Sequence, residues 1–72
     1  MKITHFEYFI GCFNRVLQIT FANKVDFHNT FKVIDEAYFE WFEEDQCETC
    51  EEFIIRALKE KGYNIISWTS ID

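Results

Sequence analysis

At Asn29 or Thr30 the hydrophobic period of this 72-residue chain changes, and that change excludes a fold built from one kind of element. Upstream, Leu17, Ile19 and Phe21 alternate with Gln18 and Thr20, and Val25 and Phe27 alternate with Asp26 and His28. That is the period of a half-buried strand. Downstream, Phe31, Ile34, Tyr38, Trp41 and Phe42 recur at i, i+3 and i+4 steps. A strand there would put Tyr38, Glu40, Phe42 and Glu44 on one face, so the spacing predicts a helix over 31–44, with its five apolar residues on a shared core face.

The remaining segments fall around this switch. In residues 2–10, alternation groups Phe6, Tyr8 and Ile10, with Ile3 out of phase. Helical spacing through Phe6, Phe9, Ile10 and Phe13 competes, but the strand reading is preferred, with Gly11 as its breaker. Residues 15–28 read as a β-hairpin reversing at Ala22-Asn23-Lys24. Thr49 followed by Glu52 is a capping-box signature for a second helix over 49–61. Lys59, Lys61 and Gly62 suit the end of that helix. Tyr63–Ile71 reads as a last strand, with Ile66 and Trp68 on one face and Ile65 and Ile71 on the other. The fold class expected is α+β: a small antiparallel sheet, made from an N-terminal hairpin or meander plus a C-terminal strand, with two helices packed on one face. The chain has no Pro and only two Gly, so no linker divides it, and residues 1–72 are expected to form a single compact domain.

A chain this short buries only about 60% of the surface that its unfolded form exposes. Nine Phe residues, each able to bury roughly 150–250 Å², are more aromatic surface than such a chain readily hides. Part of it is therefore expected at an interface, in a homodimer or against a target.

Charge narrows the partner. Nine of the thirteen acidic residues lie between Lys32 and Arg56, with no basic residue among them: Asp35, Glu36, Glu40, Glu43, Glu44, Asp45, Glu48, Glu51 and Glu52. The net charge is −6. Nucleic acid and anionic membranes attract Lys and Arg, and the seven basic residues here form no stripe, so neither is an expected partner. A basic protein cleft is. If helical, the acidic run carries about one charge per 3 Å, close to the 3.4 Å phosphate rise of a DNA strand. The expected contact residues are Glu36, Glu40, Glu43, Glu44, Asp45, Glu48, Glu51 and Glu52, with Phe39, which falls off the apolar arc, as an aromatic anchor. By composition the chain resembles the compact acidic inhibitors of phages and other mobile elements, including mimics that block glycosylases, restriction enzymes or CRISPR nucleases. That resemblance implies a non-enzymatic inhibitor of a larger nucleic-acid enzyme, with no cofactor.

The cysteines offer an alternative. Cys12, Cys47 and Cys50 with His28 (or His5) would make a Cys₃His zinc set, although the second half of a recognised zinc spacing is absent. Cys47-Glu48-Thr49-Cys50, followed by a helix, Gly62 and a strand, resembles the opening of a glutaredoxin over residues 37–72. The resemblance implies dithiol chemistry at Cys47 and Cys50. With no Pro in the chain, the cis-Pro that faces the dithiol in that family is missing, and five nearby acids disfavour a thiolate. A third reading is a homo-oligomeric structural protein that pairs its surplus Phe surface. Three cysteines, no N-terminal apolar h-region and no apolar run of about 18 residues make a reducing, cytoplasmic setting the expectation.

Overall fold

The computed structural model describes residues 1–11, 13–43 and 48–71. Its elements run β1 (Lys2–Ile10), β2 (Arg15–Asp26), α1 (Phe27–Glu43), α2 (Cys50–Glu60) and β3 (Ile65–Ile71). The strands form one antiparallel sheet in the order β1-β2-β3, with β2 central. This is the α+β architecture expected from the sequence.

Alternation sets the inner face of the sheet. Phe6, Tyr8 and Ile10 of β1, and Leu17, Ile19 and Phe21 of β2, are buried. They meet Ile34 and Ala37 of α1 and Cys50, Phe53, Ile54, Ile55 and Leu58 of α2. Thr30 is also buried, and its hydroxyl donates to the Tyr63 hydroxyl at 3.5 Å.

The hairpin expected within residues 15–28 does not exist; β2 runs unbroken from Arg15 to Asp26. A two-residue reversal needs positive φ, which Asn-Lys supplies poorly. Among the described residues the positive-φ positions are Asn14 (φ 55°) and Gly62 (φ 95°). The reversal instead follows Ile10: Phe13 N–H donates to Ile10 O, and Asn14 takes the left-handed conformation just before β2 begins. The segment expected to turn does carry an irregularity. Ile3 pairs with Val25 but His5 pairs with Thr20, so the extra residues around Asn23 form a bulge opposite Thr4.

α1 begins four residues earlier than its apolar spacing suggested. The Asp26 carboxylate accepts the Asn29 N–H at 3.0 Å and caps the helix at the end of β2. Phe27, read as a strand residue, therefore belongs to the helix and packs on the Phe6 ring, centroids 5.2 Å apart. The core side of α1 is also turned by one position from expectation. Thr30, Ile34 and Ala37 are buried, whereas Phe31 and Phe42 are exposed.

α2 matches its sequence signals closely. The Thr49 hydroxyl accepts the Glu52 N–H at 3.2 Å, Lys61 is the C-cap, and Gly62 follows at positive φ. Trp41 Nε1 donates to Glu48 O at 3.0 Å, tying the end of α1 to the approach of α2. No helix among the described residues is long and apolar enough to cross a membrane.

Candidate protein-binding surface

The expected carboxylate array divides into parts with different physical roles. Glu51 leaves it altogether: its side chain is 5% exposed. Arg15, arriving from the start of β2, places Nη2 3.2 Å from Glu51 Oε1 as a donor, and Nε 2.8 Å from Oε2 as an ion pair without a hydrogen bond of its own. Ser70 of β3 donates to Oε2 at 2.7 Å. Burial opposes ionisation of Glu51, but hydrogen bonds from Ser70, from its own backbone and from Arg15 more than offset it, holding its carboxyl below the ordinary range. Glu51 is thus a structural anchor joining β2, α2 and β3, not a contact residue. Its burial follows from α2 periodicity, since it precedes Phe53–Ile55 on the inward side of the helix.

Glu48 is compensated too, by Arg56 Nη2 at 2.7 Å from Oε1. The acidic run has no basic residue within it in sequence, yet the fold brings Arg15 and Arg56 to it from either side. Asp35 accepts the Tyr8 hydroxyl at 3.0 Å. Burial, and then that bond to Asp35, push the Tyr8 hydroxyl well above its usual pKa, so it stays a donor. Asp35 therefore belongs to the β1–α1 seam. Glu52 is exposed in the first turn of α2, where its charge favours the helix dipole.

Glu36, Glu40 and Glu43 remain. All three are exposed, and among the described residues none makes an ion pair. At about 100° per residue they span an arc of roughly 60° on α1. They lie about 6 and 4.5 Å apart along the axis at 1.5 Å rise, a wider spacing than one charge per 3 Å. The match to the phosphate rise therefore does not hold for the exposed ridge. Phe39 borders the ridge about 40° from Glu43. It is 57% exposed, as its position off the apolar arc implied. Beyond it lie exposed Phe42 and Phe31, with Tyr38 between them and the core. Rings of Tyr38 and Phe42 meet at 5.2 Å and those of Tyr38 and Phe39 at 6.0 Å. The surface is thus an aromatic band beside a carboxylate ridge, both on one helix. The aromatic band is what the sequence reading missed, because it assigned Phe31 and Phe42 to the core.

The ridge works against its own helix. The last turn of α1 carries Glu40 and Glu43 and no basic residue, which the macrodipole disfavours, whereas the Asp26 cap suits the other end. Glu36 and Glu40 are also like charges at i, i+4, a pair costing about 0.2–0.5 kcal/mol, and exposed Lys32, one turn before Glu36, is the one cation among the described residues on that face of α1 to set against it. Three of the seven cations, Lys2, Lys24 and Lys61, line a cleft at the opposite end, beside the start of α1.

Glu44, Asp45, Cys12 and Cys47 lie outside the described residues. Cys50 is buried in the core, and His28 stands exposed in the first turn of α1, about 22 Å of helix from Glu43. Among the described residues no three His, Cys, Asp or Glu side chains come together as a metal set. His5 lies 3.2 Å from Glu7 on the outer sheet face. No family model, no curated protein and no solved structure matches the chain.

Proposed function

We propose that this protein is a non-enzymatic binding domain whose α1 surface occupies a basic site on a larger protein, and that it acts as an inhibitor by excluding nucleic acid from that site. The observation that carries the reading is the exposed ridge of Glu36, Glu40 and Glu43 beside exposed Phe39, without an ion pair among the described residues and running into the C-terminal end of α1, where the helix dipole opposes it. A solvated face selected for stability would place its acids in the first turn and its bases in the last. Interface anatomy supports the aromatic neighbour: aromatic anchors beside a polar rim supply most binding energy. The carboxylates contribute a long-range field that raises the association rate and weakens with salt. With only three exposed carboxylates on α1, the recognition rests on that field and on the aromatic band, without phosphate-by-phosphate register. A cytoplasmic setting belongs to this reading, since its target class is found there.

The test is capture of proteins from lysate on the immobilised full chain, with duplex DNA or RNA as competitor. Released proteins are expected to bind nucleic acid themselves, and a Glu36→Lys, Glu40→Lys, Glu43→Lys variant is expected to capture none of them. Captured proteins that ignore both the competitor and the reversal would refute the proposal.

A further inference from the structure

β3 forms one edge of the sheet, and among the described residues it lacks the usual protection of an edge strand. Ile65-Ile66-Ser67-Trp68-Thr69-Ser70-Ile71 contains no charge and no Pro. Ile66 is 67% exposed, Ile71 48% and Trp68 37%. Native edges are ordinarily blunted by Lys, Pro, shortness or a covering element, because their free N–H and C=O groups template another strand. Here the helices leave β3 half covered. Trp68 pairs with Ile19 and Ser70 with Leu17, so both stand on the helix side of the sheet. Beside Trp68, a groove toward α2 is bounded by Glu52, Ile55, Arg56 and Lys59.

We infer that the β3 edge docks a second copy of this chain, antiparallel, about a two-fold axis at Trp68. Charge placement selects a copy over an unrelated strand. Glu52 and Lys59 both border the groove, one towards each end of α2, with Ile55 and Arg56 between them. α2 connects to β3 through the short segment at Gly62, and Glu51 in its first turn accepts from Ser70 near the end of β3, so the two elements run in opposite directions and a two-fold axis at Trp68 brings the two α2 helices past each other. Glu52 of one copy then faces Lys59 of the other, and the reverse holds by symmetry. That reciprocity is what an isologous interface requires. In the strands, the same axis sets Trp68 opposite Trp68, Ile66 opposite Ser70, and Ile65 opposite Ile71 of the second copy. The uncharged edge brings no like charges together in the strands, and Arg56, which the axis sets near its counterpart, is neutralised by its ion pair with Glu48. α1 lies over β1, where Tyr8 bonds Asp35, so the two acidic ridges stay on the far sides of a continuous six-stranded sheet. This surface is separate from the α1 ridge, and the inference stands without the proposed inhibition.

Sedimentation equilibrium on the full chain tests it. The wild type is expected to move from 8.8 kDa towards twice that mass as concentration rises to about 1 mM. Ile66→Lys, at an exposed position, is expected to stay monomeric with an unchanged far-ultraviolet circular dichroism spectrum. Glu52→Lys and Lys59→Glu are each expected to weaken the dimer by roughly two- to tenfold, since symmetry counts the pair twice. The double swap is expected to restore it. A wild type that remains at 8.8 kDa throughout, an Ile66→Lys dimer, or a double swap that restores nothing would each overturn the inference.

Discussion

Arg15 at the start of β2 and Glu51 in the first turn of α2, 36 positions apart, meet as an ion pair with the carboxylate nearly sealed from water. Each group is worth little without the other. Arg15→Ala strands a buried carboxylate and should cost about 2–4 kcal/mol, since breaking a buried pair leaves an uncompensated charge. Replacing both, as Arg15→Met with Glu51→Leu, should recover most of that loss. Urea denaturation of the three proteins decides it; a double variant as weak as the single one would mean that the pair is irreplaceable.

Acid should unfold the protein through two identified carboxyls. Asp26 is held below the usual range first by the Asn29 N–H, and Glu51 by Ser70, its own backbone and Arg15 against the opposing effect of burial. A carboxyl more acidic when folded binds fewer protons in the native state. Its contribution is complete above the unfolded value of about 4 and disappears as pH falls through the lower folded value. Stability from these groups should hold steady from about pH 7 to 5 and decline below about pH 4. Denaturant midpoints across that range should show the decline, and Glu51→Gln should make it shallower.

Reversing the ridge should separate stability from binding. Changing Glu36, Glu40 and Glu43 to Lys exchanges like-charge pairs of one sign for pairs of the other, so the favourable change is confined to positions 40 and 43, where cations suit the C-terminal end of the α1 dipole. The variant should keep its stability or gain about 0.5 kcal/mol while losing its protein target. A thermal melt beside the capture experiment reads both quantities. Reduced stability in the triple variant would show that the ridge serves the fold.

Gly62→Ala should cost about 1 kcal/mol and nothing more. A Cβ at this position meets no atom within 4 Å, so the whole penalty is the backbone's at φ 95°. Gly62→Asn should cost less, because Asn tolerates that region better. Equal losses for Ala and Asn would point to a cause other than backbone conformation.

Local chemistry made much of this fold readable. The Thr49–Glu52 cap and Gly62 act within a few residues of themselves, and both do in the structure what their spacing implied. The hairpin at Asn23 failed for the complementary reason: a bulge and a turn use similar residues, and only pairing with β1 distinguishes them. Phe27 alternates like a strand residue but is captured by the Asp26 cap. At the site, Phe39 and the ridge followed from the period alone. The inward position of Glu51 lies in the α2 period, but its partners do not, because Arg15 and Ser70 reach it from distant parts of the chain.

The central position of β2 has a consequence for biosynthesis. Its first neighbour, β1, precedes it directly, whereas its second is separated from it by both helices. At roughly 5–20 residues per second, the stretch from Asp26 to Ile65 takes about 2–8 s to translate. For that interval the nascent β2, with Leu17, Ile19 and Phe21 along it, has one side that only a strand from elsewhere could fill. Crowded polysomes would therefore favour exchange of β3 between neighbouring chains, and slower translation of the helical stretch would lengthen the exposure.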